Sequence, residues 1–234
     1  MRWKGRDSGQ AMVQQDDSFI REVNDELRSD QVRLVWTRFR SVIIGIAVLI
    51  VLGTIGKVSY EYWDESSASA SGDAFLSAMR LAGENKPDEA LAALTALEKD
   101  GYGSYPLLAR MRAATILQQK GDAAGAARAF SDIGKDTSVN EAVRDAAKLR
   151  AAYILVDTGA YADVSAEAEA LAVPGNGMRH SAREVLGLAA YKAGDFAKAK
   201  DWFQQIADDQ QAPSNVSNRA QIMLDLIASS GKAA

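Results

Sequence analysis

Between Ser41 and Gly56 the chain reads SVIIGIAVLIVLGTIG, an apolar run with no charge and no polar face. A helix that is hydrophobic all round belongs in lipid or deep within a protein. It crosses a bilayer because each backbone N–H and C=O is satisfied inside the segment itself. A hydrocarbon core of roughly 30 Å needs about 20 residues, so this run draws on its flanks. Arg40 and Lys57 carry their charges outward on aliphatic stems. Trp36 and Phe39 on one side, and Tyr60, Tyr62 and Trp63 on the other, supply aromatic belts. The pattern predicts one transmembrane anchor over 41–63.

Before the anchor the pattern is polar. Residues 1–17 carry no hydrophobic period and predict a disordered leader. From Ser18, a helix cap, Phe19, Val23, Leu27 and Leu34 recur near helical spacing, which predicts an amphipathic helix over 18–40. After the anchor, the small residues of SSASASG predict a linker over 64–72.

From Asp73 to the end the pattern becomes helical and repeats. The clearest unit is His180 to Pro213, HSAREVLGLAAYKAGDFAKAKDWFQQIADDQQAP. Gly187 lies on a first helix, Gly194-Asp195 turns the chain, and Ala199 and Phe203 lie on a second helix. Small residues let two helices approach closely, Phe203 fills the space they leave, and Gly194 takes a turn conformation other residues resist. These positions match the tetratricopeptide helix-turn-helix repeat. Ala113-Ala114, Gly121-Asp122, Ala126 and Phe130 repeat the offsets, as do Ala78, Asn85, Ala90 and Leu94. In the stretch from Ala142 to Val173, Ala151-Ala152 and Gly159 are followed by Val164 and Ala168, a degenerate second helix. Turns at 85, 121, 159 and 194 give a period of roughly 34 to 38 residues. Asn218 to Ser229 reads as a lone capping helix. The predicted fold is all-α: one N-terminal transmembrane helix, then a tetratricopeptide-like solenoid over 73–234 with about four helix pairs and a C-terminal cap.

Charge sets the expected orientation. Arg33, Arg38 and Arg40 precede the anchor, whereas Glu61, Asp64 and Glu65 follow it with only Lys57 opposed. The positive-inside tendency places the N-terminus in the cytoplasm and the repeats across the membrane. Ala68-Ser69-Ala70 resembles a signal-peptidase site but lies far past the run, so an uncleaved anchor is expected. The absence of cysteine excludes disulfides, zinc-thiolate sites and a cysteine nucleophile. A net charge of −4 disfavours nucleic acid as a partner.

Together the anchor ending in KVSYEYW, the segment YPLLARMRAATILQQKGDAAGAARAF and the segment VPGNGMRHSAREVLGLAAYKAGDFAKAKDWFQQI resemble the YfgM-type ancillary subunits of the SecYEG translocon. That resemblance implies a single-pass inner-membrane protein with a periplasmic repeat domain. It also implies partners among the Sec translocon, periplasmic chaperones and unfolded exported chains. The longer leader before Arg40 departs from shorter members of that family.

Little here suggests catalysis. His180 is the lone histidine and is expected as a surface or capping residue. Glu167 with Glu169, and Asp208 with Asp209, are expected on solvated helix ends. Gly175-Asn176-Gly177 lacks the strand and the Gly-Lys-Ser/Thr ending of a phosphate loop. The reading is therefore not an enzyme, with no metal, cofactor or small-molecule substrate. The candidate site is a client groove on the concave side, formed by first helices. By the offsets that face inward in such repeats it comprises Phe75, Met79, Leu108, Met111, Leu149, Tyr153, Glu184, Leu188, Tyr191 and Lys192. Adaptable apolar side chains of this kind suit segments of unfolded chain. The competing expectation is a scaffold that joins envelope or cell-division complexes without chaperone activity.

Overall fold

The computed structural model describes the backbone of residues 8–231 and the side chains of residues 36–231. It divides into two units, Met1–Asp64 and Glu65–Ala234.

The first unit belongs to one helix, α1 (Ser8–Gly83). Its stretch Trp36–Gly83 is long and apolar enough to cross a membrane, by length and composition. No side chain from Trp36 to Trp63 is buried by the protein. The one polar side chain within Val42–Gly56, Thr54, returns its hydroxyl to the Ile50 carbonyl at 2.8 Å and so exposes no unmet donor. The leader expected without structure is helical from Ser8. Residues 1–7 lie outside the described residues, as do the side chains that would form the amphipathic face over 18–35.

The second unit starts eight residues earlier than its repeat pattern, at Glu65. The segment expected as a linker, 64–72, lies inside α1. Ser71 explains this. It is buried, its hydroxyl donates to the Ser67 carbonyl at 3.0 Å, and its oxygen accepts the Tyr102 N–H at 2.9 Å. A serine tied to a loop 31 residues away is part of the packed unit, whatever its composition suggests.

Among the described residues eight further α-helices follow: α2 (Pro87–Asp100), α3 (Tyr105–Gln119), α4 (Ala123–Lys135), α5 (Glu141–Thr158), α6 (Tyr161–Ala168), α7 (Arg179–Lys192), α8 (Phe196–Ala207) and α9 (Ser214–Ser229). Their starts are written locally. Pro87 opens α2 where its missing N–H costs nothing. Asp122 and Asp195 accept the N–H groups of Gly125 and Lys198 at 2.8 and 3.1 Å, capping α4 and α8. Asn140 does the same for α5.

The pairs are the end of α1 with α2, α3 with α4, α5 with α6, and α7 with α8, leaving α9 as the cap. Each position of the repeat plays one physical role throughout. Seven residues before each turn stand Ala78, Ala114, Ala152 and Gly187, all buried. Five after it stand Ala90, Ala126, Val164 and Ala199, and nine after it Leu94, Phe130, Ala168 and Phe203, again buried. A fourth series, Leu97, Ile133, Leu171 and Ile206, closes each pair from below. Four apolar clusters result, each shared between neighbouring helices, as a stack of repeats requires.

Three turns share one geometry. Asn85, Gly121 and Gly194 have φ of 62°, 87° and 80°. The N–H groups of Lys86, Asp122 and Asp195 reach back to the carbonyls of Leu81, Leu117 and Ala190, closing the first helix. The third turn differs. Gly159 is extended (φ −107°, ψ 178°), and the Asp163 carboxylate accepts the Ala160 N–H at 2.9 Å instead. There α6 is only eight residues long and continues as a single tight turn, Glu169–Leu171, which matches the degeneracy of its sequence.

Gly187 is where the second helix presses its aromatic ring onto the first. A Cβ there would lie 2.8 Å from Phe203 Cζ and 3.0 Å from two further ring atoms. Alanine gains about 1 kcal/mol over glycine in a helix interior, but overpacking a filled core costs ~1–3 kcal/mol. Gly187→Ala is therefore expected to lower the urea midpoint, with a net loss of about 1 kcal/mol. Phe203→Leu in the same background should recover part of that loss. A raised midpoint in the single variant would show slack around the ring.

Candidate protein-binding surface

The ten candidate residues all lie on first helices, so the surroundings of each on those helices define the candidate site. Of the ten predicted residues, Leu108 (46% exposed), Tyr153 (39% exposed) and Lys192 face solvent, and Met79 and Met111 are half-buried. Met111 and Leu149 also lean on the clusters beneath them. Phe75 meets Tyr105 at a tilt of 51°, with ring centroids 6.3 Å apart. Leu188 and Tyr191 pack against the α7–α9 cluster, Tyr191 meeting Phe196 edge to face at 5.3 Å. Lys192 donates to the Val156 and Asp157 carbonyls at 2.8 and 2.6 Å, capping the C-terminal end of α5. The continuous groove of ten thus resolves into an apolar, open stretch on α3 and α5 and a structural stretch on α7.

Glu184 belongs to the structural part. It is 5% exposed, yet it receives the Arg219 guanidinium of α9 at 2.5 and 2.8 Å and the Tyr153 hydroxyl of α5 at 3.2 Å. Burial, and then the Glu184 charge beside it, push the Tyr153 phenol up to about 12. Tyr153 is thus a neutral donor at any physiological pH.

Two further clamps repeat with the fold. Arg110 donates to Asp136 at 2.6 Å, and Arg183 reaches Asp209 at 3.5 Å, each pair 26 residues apart. The first residue of each pair lies on a first helix and the second just past the following helix, so each clamp closes one hairpin. Ser138 and then Arg110 draw the Asp136 carboxyl down to about 2. Asp209 is more heavily engaged. Its Oδ2 takes Arg179 at 3.0 Å and His180 Nε2 at 2.8 Å as well, while Oδ1 accepts the Gln211 N–H at 2.9 Å. Arg179, the Gln211 amide and His180, in that order, hold this carboxyl well below the usual carboxylate range. Arg183 completes the knot by donating to the Ala172 and Gln205 carbonyls.

His180 is therefore not the surface or capping residue expected; it is 6% exposed and tied to Asp209. Glu167 and Asp209 likewise leave the solvated ends on which they were expected. Asp209 faces three cationic or histidine side chains, and Glu167 is buried beside Ser131. Gly175-Asn176-Gly177 is an inter-repeat loop pinned by Asn176 to Asp145 at 2.9 Å. Among the described residues no cluster of histidine and carboxylate ligands could hold a metal ion.

Comparison with known families matches the tetratricopeptide repeat-like domain over residues 33–229. The chain belongs to that family. No curated protein and no solved structure matches it. Repeats of this family are protein-binding scaffolds rather than enzymes, which agrees with a surface built from stacked first helices and arginine–carboxylate clamps. The clamps escaped the sequence reading because it followed apolar positions. The available signal was an arginine followed 26 residues later by aspartate in two units, Arg110 to Asp136 and Arg183 to Asp209.

A carboxyl whose folded value is depressed contributes stability above its unfolded value of 3.8, and that contribution fades as pH falls through the folded value. Asp209→Asn should thus lower the urea midpoint at pH 7. The gap between parent and variant should narrow steadily as pH drops below the ordinary carboxylate range. A gap that stays constant down to strongly acid pH would contradict the Asp209 knot.

Proposed function

We propose that the protein is a membrane-anchored protein-binding module of the inner membrane, with its N-terminus in the cytoplasm and its repeats in the periplasm. In this reading it is ancillary to the Sec translocon and contacts exported polypeptides or periplasmic chaperones. The observation that carries it is the open apolar stretch of first helices, Leu108, Met111 and Tyr153, in a chain that also has a helix long and apolar enough to cross a membrane. The compartment is supported by the charge asymmetry, Arg38 and Arg40 before the apolar run and Glu61, Asp64 and Glu65 after it. The partners are supported by the resemblance to the YfgM-type subunits.

A scaffold reading, joining envelope or division proteins without binding unfolded clients, draws on a different observation. Glu184, Leu188, Tyr191 and Lys192 are all spent on helix-to-helix contacts. A surface so fixed suits one folded partner better than many unfolded ones.

Leu108→Asp separates the two. Tyr153 is a poor choice because it holds Glu184, whereas Leu108 is half exposed. In nanodiscs, the full-length chain should bind an unfolded exported protein, and the variant should bind about tenfold less tightly, the loss of ~1.4 kcal/mol of apolar contact. Unchanged client binding by a folded Leu108→Asp variant would favour the scaffold. In spheroplasts, external protease should remove the part beyond Trp63. Its protection in intact spheroplasts would refute the periplasmic placement.

A further inference from the structure

On the side of the stack formed by second helices, a cleft of about 550 Å³ opens between α4 and α6, backed by the end of α5. It exists where the third pair departs from the repeat: α6 is short, and Ala168 stands where other pairs carry Leu94, Phe130 or Phe203. Glu167 lies in its wall and is 8% exposed. Glu167 Oε1 accepts the Ser131 hydroxyl at 2.5 Å. Among the described residues, Oε2 receives no hydrogen bond. Oε2 is not sealed in: among the described residues the buried side-chain polar atoms without a partner are Arg112 Nε and Arg144 Nε, so the free Glu167 oxygen is accessible from the cleft it lines and can accept a donor that enters it. Arg128 and Lys135 flank Ser131 on α4 and line the same cleft, yet among the described residues neither pairs with Glu167.

We propose that this cleft is a second recognition site, taking one basic side chain of a partner polypeptide, with Glu167 Oε2 as the acceptor. Alanine and leucine walls (Ala127, Leu155, Ala166) fit the aliphatic stem of arginine or lysine. Arg128 and Lys135 share the lining with Asp132 and Asp163, so these four charges balance and the net attraction for a basic side chain is that of Glu167 itself; Arg128 and Lys135 offer contacts to acidic neighbours of that residue. The inference rests on the protein-binding reading but not on the first-helix face.

The test uses the full-length chain in nanodiscs and two acetylated pentapeptides, one arginine flanked by aspartates and its twin with neutral citrulline. The arginine peptide is expected to bind at least about tenfold more tightly than the twin, as loss of a charge-assisted contact requires. Glu167→Gln should abolish that preference. Ala166→Phe, at an exposed position, should block the peptide by filling the cleft, and it stands in should Glu167→Gln fail to fold. Leu108→Asp should leave the preference intact. Equal binding of the twins, or a preference that survives both cleft variants, overturns the proposal. A preference lost in Leu108→Asp moves the peptide to the first-helix face and also overturns it. Displacement of the peptide by spermidine at lower concentration than by unlabelled peptide would reassign the site to free amines.

Discussion

A stack of hairpins touches only its neighbours, so every junction between first helices must be held by its own contacts. In the C-terminal half one carboxylate takes part in both junctions, beside the Lys192 bonds to α5 and the apolar contacts to α9. Glu184 on α7 takes Tyr153 from α5 and Arg219 from α9, joining three consecutive first helices through a single buried group. The side chain of Arg219 is about half exposed, so solvent screens part of its attraction. Such a pair adds less to net stability than its geometry suggests, and well-packed apolar side chains of the same volume would hold as well or better. What the pair supplies is register. A bidentate guanidinium fixes both the height and the rotation of α9 against α7, and the Tyr153 hydroxyl does so for α5.

Within each pair, register comes from volume instead. Ala78, Ala114, Ala152 and Gly187 occupy one position, and the second helix answers with Leu94, Phe130, Ala168 and Phe203. Where the answering side chain is a phenylalanine, the arginine–aspartate clamp across the base of the hairpin is present as well: Arg110 to Asp136 and Arg183 to Asp209. In the third pair Lys148 and Pro174 occupy those positions, and the phenylalanine is missing too. Large plug and polar clamp are present or absent together. Each limits how far the two helices can slide; the first pair, with Leu94 and Ala74 at those positions, also lacks both yet keeps a 14-residue second helix, so the shortness of α6 is particular to the third pair.

The repeat was legible because it is a pattern of small and apolar residues at fixed offsets from a turn, and burial follows that pattern residue by residue. Asn85 was readable as a turn in place of glycine because asparagine tolerates positive φ. The apolar run at 41–56 was readable for the same reason, as periodicity with no polar face. What escaped was everything decided by a partner distant in sequence. Ser66–Gly72 has linker composition, yet Ser71 is held by Tyr102, and small residues do not oppose a helix once one contact fixes them. His180 and Asp209 read as surface residues until the fold brings Arg179 and Arg183 beside them. Repeat offsets placed the ten residues on first helices. They did not say which residues of the first-helix face already had partners, because Lys192 and Glu184 find theirs on α5 and α9.

The division of that face has a consequence for recognition. A surface that binds varied sequences needs side chains free to change rotamer, and long unbranched or planar groups at half-exposed positions provide that freedom. Leu108 and Met111 meet the condition, because neither makes a directional bond. Tyr153, Glu184 and Lys192 do not, since moving any of them breaks a hydrogen bond between helices. Adaptable contact is thus confined to α3 and the near edge of α5, while α7 and α9 form a rigid end. A partner segment lying along the first helices would meet a compliant surface first and a fixed polar ladder next. Affinity would then come from apolar burial on α3, and orientation from the tyrosine–glutamate–arginine edge.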